Sequence, residues 1–410
     1  MRYLWAGALG VGVTCVLLWA LRPLAIRIGL VDTPSKRKLH KGNVVLIGGI
    51  AIFAALTVST LALDISAPAF HSFLAAAALL VVVGFLDDLW ELPAQIRLAV
   101  QITAALIMAV GGGVVVQNLG AITGNHDVTL GAWAIPFTVF ATVGVINALN
   151  MSDGVDGLAG GLSLIAFLLF GYLALAGGRV ADSYVLLLLA CIVGTFLLFN
   201  LRFPRRRRPL VFMGDAGSMF LGFALAWFAI SLSQGEAPVM TPVTALWILA
   251  LPLIDTVSLF LRRVFVGHSP FAADRAHLHH ILLMAGCNVH ATITILLSAA
   301  VTLGLTAVFA LYHGVPEYIL FYCLLVLGFS HLWYMLHLQK TEMRKTQNDM
   351  EKRRVVIERH TWSERRKWAR RIHSDRRDMI RFATDEADRR EAFGRRKKQD
   401  QLWNAIRQKF

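Results

Sequence analysis

Three acidic clusters in this chain have the residue types and surroundings for chemistry on a charged substrate. Asp87 and Asp88 close the apolar run Val81-Val82-Val83-Gly84-Phe85-Leu86. Asp153 and Asp156 lie in Asn147-Ala148-Leu149-Asn150-Met151-Ser152-Asp153-Gly154-Val155-Asp156-Gly157. Asp215 stands in Phe212-Met213-Gly214-Asp215-Ala216-Gly217. Ionisable groups beside lipid are costly, so each cluster reads first as a functional site. Adjacent carboxylates such as Asp87 and Asp88 can share a metal, or one can stay charged while the other accepts a proton. The alternative is a solvated helix end, although acids at a helix C-terminus oppose its dipole. Asp153 and Asp156 are three apart and share one side of a helix. If Gly154 and Gly157 instead open a loop, their N–H groups can approach phosphate oxygens. Asn147 and Asn150 add neutral oxygens and donors. The small residues around Asp215 suit a helix start, where amides favour an anion. Mg²⁺ takes carboxylate oxygens and substrate phosphates, so Asp215 is the first choice of metal ligand, a plain N-cap being the competing reading.

Basic and imidazole groups accompany these acids. The stretch Asp274-Arg275-Ala276-His277-Leu278-His279-His280 packs three imidazoles and a guanidinium into six residues. Zinc is one reading, but zinc sites usually space their ligands wider or add Cys. Imidazoles gripping a sugar-nucleotide diphosphate, with Arg275 forking onto phosphate, is the preferred one. A second basic, His-ending loop, Asp32-Thr33-Pro34-Ser35-Lys36-Arg37-Lys38-Leu39-His40, suits a lipid phosphate, a plain positive-inside loop being the competing reading. Asp255 lies inside an apolar segment, either lining a groove or pairing with Ser258 or Thr256.

The elements that must hold these groups are membrane helices. The chain is 56% hydrophobic with a mean hydropathy of +0.60, above the ~45–50% of soluble domains. Apolar windows of about 20 residues recur, and strand alternation of the β-barrel kind is lacking. The expected fold is all-α and polytopic, with about eleven spans at 3–21, 45–63, 70–86, 98–116, 132–150, 158–176, 183–201, 217–233, 242–261, 291–312 and 317–337. Lys36, Arg37, Lys38, Lys41, Arg97, Arg202, Arg205 to Arg208, Arg262, Arg263 and Arg275 fall on one face if spans alternate, against Arg2 and Arg179 on the other. The positive-inside rule then puts the N-terminus outside, the C-terminus in the cytoplasm and all three acidic clusters on the cytoplasmic face. Cys15, Cys191, Cys287 and Cys323 are scattered and show no metal or disulfide spacing.

Charge divides the chain into a transmembrane domain, 1–338, and a basic cytoplasmic tail, 339–410. The tail carries 23 Lys+Arg against 12 Asp+Glu, a surplus of 11 in a total of +14. Its basic and aromatic residues, among them Arg365, Arg366, Trp368 and Arg395, suit the anionic inner leaflet. A solvated mixed-charge helix is the alternative. Tethering makes lipid the nearer anion than nucleic acid, so no nucleic-acid partner is expected.

The motifs, in order, resemble one family. Arg37-Lys38-Leu39-His40, Asp87-Asp88, Asn150-Met151-Ser152-Asp153-Gly154-Val155-Asp156-Gly157-Leu158, Phe212-Met213-Gly214-Asp215-Ala216-Gly217-Ser218 and the Asp274–His280 stretch are similar to those of the polyprenyl-phosphate N-acetylhexosamine-1-phosphate transferases. The resemblance spans roughly residues 20–340 and implies eleven helices with a cytoplasmic site in the bacterial inner membrane. It implies transfer of GlcNAc-1-phosphate from UDP-GlcNAc to undecaprenyl phosphate, giving undecaprenyl-diphospho-GlcNAc and UMP. That step would start enterobacterial common antigen and O-antigen lipopolysaccharide synthesis. Leu278 interrupts the histidine run typical of the phospho-MurNAc-pentapeptide enzymes, which favours a GlcNAc donor, another UDP-N-acetylhexosamine being the alternative. The implied cofactor is Mg²⁺ or Mn²⁺, held by Asp215 with Asp156. Asp87, Asp88 and Asp153 join the catalytic set, and Lys38, His40, Asn147, Asn150, Asp274, Arg275, His277, His279 and His280 bind substrate. Whether transfer is direct or passes through an aspartyl-phosphate stays open, as does a homodimer. The rival from another class is a transporter or lipid flippase, which predicts acids at mid-membrane and inverted repeats.

Overall fold

The computed structural model describes residues 2–32, 44–62, 69–124, 126–202, 206, 208–267 and 277–337. The chain divides into two units, Met1–Met335 and Leu336–Phe410. Nearly all described residues belong to the first. Lys38, His40, Asp274, Arg275 and the 339–410 tail lie outside the described residues.

Every apolar segment expected to span forms a helix over at least part of its length. The order is α1 Arg2–Ile28, α2 Gly48–Ala62, α3 Phe70–Trp90, α4 Ala94–Leu106, α5 Ala134–Ser152, α6 Leu158–Ala176, α7 Val180–Asn200, α8 Gly214–Ser233, α9 Pro242–Ile248, α10 Ala250–Phe265, α11 Leu278–Met284, α12 Val289–Tyr312 and α13 Glu317–His337. Helices are the natural solution because a backbone in lipid must satisfy its own hydrogen bonds. Among the described residues, nine helices are long and apolar enough to cross a membrane, counting α4 with its π-helical continuation to Gly111, and α9 with α10 would make a tenth. The 15 residues of α2 fall short of that length. The chain is a multi-pass membrane protein.

Two segments depart from the sequence expectation. The single helix expected over 242–261 is broken at Leu249, where α9 and α10 meet at 82°. Pro252 explains the break: it has no N–H for the Ile248 carbonyl, and its ring crowds that carbonyl. Helix α1 continues through Pro23 to Ile28, past the expected end at residue 21.

Helix α8 is the axis. Of its spanning window, 94% is buried, against 17–67% for the other spans. It packs on α3, α5, α2 and α6. Small residues let these backbones approach, the usual device where apolar burial no longer drives association. A Cβ on Gly49 would lie 2.1 Å from Gly217 N, and one on Gly84 2.4 Å from Ala216 Cα. On the rest of α8, Phe73 of α3 meets Phe223 and Trp227 at ring-centroid distances of 5.7 and 5.3 Å. A short antiparallel pair, Val31–Asp32 with Val44–Val45, adds a small β element to the helices. It registers the α8 start: Phe212 N–H donates to Val45 O at 2.9 Å, and Gly49 N–H to Met213 O at 2.9 Å.

Candidate active site

The site forms where the C-terminal ends of α3 and α5 meet the N-terminus of α8. An N-terminal turn leaves amide donors without helical partners. Here a neighbouring helix supplies the acceptor. Asp88 Oδ1 accepts from Asp215 N–H at 2.9 Å, and Oδ2 from Ala216 N–H at 3.4 Å. Gly214 makes room: its φ is +72°, and a Cβ there would lie 2.4 Å from Asp88 Oδ2. Asp215 is therefore not the cap of α8. Its side chain turns to α5, where Asn150 Nδ2 donates to Oδ1 at 2.6 Å and also to Ser218 Oγ at 2.8 Å.

Asp87 is buried and doubly held. Leu92 N–H donates to Oδ1 at 2.7 Å and Arg97 Nη1 to Oδ2 at 2.9 Å. The same Arg97 Nη1 lies 3.7 Å from Asp215 Oδ2, so one guanidinium on α4 spans two carboxylates. Asn147 stands one turn before Asn150 and donates to Gln101 Oε1 at 2.7 Å, which ties α5 to α4. Asn147 thus supports the frame, while Asn150 reaches the acids.

Residues 153–157 form a loop, with Gly157 at φ +84° starting α6. Of the two arrangements the spacing allowed, the loop is the one adopted. Asp156 Oδ2 pairs with Arg202 Nε at 2.5 Å. Asp153 has no such arginine partner among the described residues. Burial, then the charges of Asp215, Asp88 and Asp156, hold its carboxyl well above the usual carboxylate range. Among the described residues, Asp153 rather than Asp156 is the loop carboxylate whose negative neighbours go unrelieved.

The histidines close over this loop. A Cβ on Gly154 would lie 2.5 Å from His279 Nε2, an atom that is buried and has no hydrogen-bond partner among the described residues. Burial, then His280 and His277, push His279 down to about 3 from its ordinary 6.5, so it is neutral at pH 7. The His277 and His279 rings stack at 5.4 Å and 10°, and His280 lies 4.3 Å from His279. Asp255 anchors the group: its Oδ2 is 3.0 Å from His277 Nδ1, and its Oδ1 accepts from Leu278 N–H at 3.0 Å. The Ser258 and Thr256 pairings considered for Asp255 give way to this one.

The structure thus brings Asp87, Asp88, Asn150, Asp153, Asp156 and Asp215 to one end of the bundle, with His277, His279 and His280 beside them. Arg97, Gln101, Arg202 and His331 were not singled out by sequence as site residues. Arg97 and Arg202 registered only as loop charges, and nothing local marks which carboxylate each meets. Among the described residues, no three His, Cys, Asp or Glu are grouped tightly enough to hold a metal by themselves. A Mg²⁺-type cation needs only one or two carboxylates when substrate phosphates complete its shell. The mutual repulsion around Asp153 is what such a cation relieves, so the residues present fit it.

The geometry can be set beside known proteins. Residues 70–233, from α3 to the end of α8, match the model of glycosyl transferase family 4. The chain is similar to undecaprenyl-phosphate α-N-acetylglucosaminyl 1-phosphate transferases from several bacteria. It is 37% identical to that of Escherichia coli O157:H7 over 75% of this chain and 84% of the relative. To that of Yersinia pestis it is 39% identical, over 71% and 80%. To that of Haemophilus influenzae it is 35% identical, over 78% and 90%. The matched model contains all five aspartates of the acidic site, and the similarity to whole transferases extends over most of both chains. With helices, acids and histidines arranged as described, the chain is a phosphotransferase enzyme and belongs to glycosyl transferase family 4, among the polyprenyl-phosphate N-acetylhexosamine-1-phosphate transferases.

Proposed function

We propose that this chain transfers GlcNAc-1-phosphate from UDP-GlcNAc to undecaprenyl phosphate, releasing UMP and leaving undecaprenyl-diphospho-GlcNAc. The observation that carries the reading is the convergence of Asp88, Asp153, Asp215 and Arg97 at the start of α8, with a neutral histidine against the Asp153 loop. The names of the relatives support the donor and acceptor. An oxygen of the lipid phosphate forms a bond to the β-phosphorus as the bond from that phosphorus to the bridging oxygen of UMP breaks. Two anions must meet, so positioning and charge compensation are the main demands on the protein. Arg97, already astride Asp87 and Asp215, is placed to take up negative charge from an incoming phosphate. A phosphate monoester has its second pKa near 6, so Asp87 and Asp88 act by orienting the acceptor and the α8 terminus more than by removing a proton. Asp215, with Asp153 or Asp156, would hold Mg²⁺ or Mn²⁺; such a cation neutralises the pyrophosphate and the departing UMP. The geometry favours Asp153 over Asp156, whose carboxylate already pairs with Arg202. The remaining substrate groups assigned by sequence are Lys38, His40, Asp274, Arg275, His277, His279 and His280.

The same reading makes the protein an eleven-span enzyme of the bacterial inner membrane. Its N-terminus is outside and its site cytoplasmic, and its product would initiate enterobacterial common antigen or O-antigen assembly. The test is UMP release by purified protein given undecaprenyl phosphate, Mg²⁺ and, separately, UDP-GlcNAc, UDP-GalNAc or UDP-MurNAc-pentapeptide. Lipid- and metal-dependent release with UDP-GlcNAc is the expected result. Release only with another donor overturns the donor assignment, and silence with all three overturns the reaction.

A further inference from the structure

Asp255 lies in α10, 22 residues before His277 in sequence. It is 6% exposed and gathers groups from two other elements. On α10 itself it is the acceptor. On α11 it receives Leu278 N–H and His277 Nδ1, each at 3.0 Å. On α13, His331 Nε2 lies 3.6 Å from Oδ1, buried and beyond hydrogen-bond distance of any acceptor among the described residues. A carboxylate with both oxygens engaged only accepts, so His277 Nδ1 must carry a hydrogen. The other ring nitrogen, Nε2, is then the one left for a ligand. The His277 ring is stacked on His279, whose own Nε2 abuts the Asp153 loop at Gly154.

We infer that Asp255 is a positioning residue for the transfer reaction: it fixes the His277 ring with its proton on Nδ1, so that Nε2 presents a lone pair to the UDP-sugar donor. The inference rests on the proposed transferase reading. Partners behind metal-ligating imidazoles change affinity or activity by about 10–100-fold when removed, and an effect of that order is taken for this imidazole. An asparagine at 255 makes the role visible. Its single acceptor oxygen must still serve Leu278 N–H, so its amide nitrogen faces His277 Nδ1. That nitrogen donates, which strips Nδ1 of its hydrogen and moves the ring proton to Nε2. The shape is kept while the Nε2 lone pair is lost.

The experiment uses the full chain in nanodiscs, with ¹⁵N-histidine labelling and steady-state UMP release. His277 signals are assigned by their loss in His277→Gln. The wild type should show the Nδ1–H form and Asp255→Asn the Nε2–H form, with KM for UDP-GlcNAc raised about tenfold or more and KM for undecaprenyl phosphate unchanged. Asp255→Glu should recover part of the loss. The double variant Asp255→Asn/His277→Gln should be no worse than His277→Gln alone, because the first change acts through the second residue. An Nε2–H His277 in the wild type overturns the inference, as does an active Asp255→Asn enzyme with unchanged donor KM. Should Asp255→Asn fail to fold, the wild-type His277 signals and the Asp255→Glu kinetics still decide it. A wild type silent with every donor, yet showing the Nδ1–H form, would instead count against the transferase reading alone.

Discussion

Gly214 is the residue on which the acidic cluster turns. Its positive φ and missing Cβ admit the Asp88 carboxylate to the α8 amides. Gly214→Ala meets both a left-handed backbone and a blocked approach, a strain of about 1–3 kcal/mol. The expected outcome is a lower unfolding temperature together with loss of UMP release, read by a thermal melt and the turnover assay on one sample. Asp153 behaves in the opposite sense. Its folded pKa is raised, so the unfolded chain ionises it first as pH rises above 3.8, and the charged form costs the fold stability. Asp153→Asn should melt higher than wild type in EDTA, gain less from added Mg²⁺ and be inactive. A variant that melts lower in EDTA would refute the crowding of charges. For His279 the folded pKa is depressed to about 3, so its stabilising contribution is complete above 6.5 and drains as pH falls toward 3. By pH 5 that loss is on the order of 2 kcal/mol, and His279→Gln should flatten the pH 7-to-5 fall in melting temperature. Residue types and spacing in the sequence announced these acids and imidazoles. They did not announce Arg97, Gln101 or Arg202, since contacts such as Asn147 with Gln101 or Asp215 N–H with Asp88 join residues 46 and 127 apart. Pairings of that range leave no mark on local periodicity.

At the level of elements, the apolar runs located the nine helices long enough to cross a membrane among the described residues, because a lipid-facing segment has few other conformations open to it. The same hydropathy could not see the turn between α9 and α10, since both arms are apolar; Pro252 was the only local sign. Nor could it rank the helices by burial, which is set by neighbours. The α3–α8 seam gives a direct check. Gly84→Ala drives a methyl against the Ala216 backbone, whereas a Cβ on Gly144 meets nothing within 4 Å. The first should cost about 1–3 kcal/mol as overpacking and lower the melting temperature. The second should leave it unchanged or raise it, helices preferring Ala to Gly. Equal behaviour of the two variants would argue against the close seam.

For the molecule as a whole, the charge bias assigns sides to the two ends of the bundle. Among the described residues, Arg97 and Arg202 stand at the end with the acids. The opposite end is closed by Gln234, whose Oε1 accepts from Gln117 N–H and Asn118 N–H at 2.9 and 3.1 Å, and by the Arg179–Asp182 pair at 2.7 Å. Single cysteines on a background lacking Cys15, Cys191, Cys287 and Cys323 test the assignment. Gln95→Cys, exposed at the acidic end, should react with a membrane-impermeant maleimide only after lysis. Glu236→Cys, exposed at the other end, should react on intact spheroplasts; the reverse pattern would invert the topology. The burial of α8 also bears on how the protein is made. Helix α8 leaves the ribosome after α2, α3, α5 and α6, the helices that make most of its contacts, and before α9, which also packs on it. Its slot can therefore exist before it enters the membrane. A helix that carries a carboxylate in its first turn and exposes almost no side to lipid would be a poor pioneer. Arriving late, it would have protein rather than hydrocarbon as its first neighbour, and the acidic end would be assembled in the same event that fills the bundle's centre.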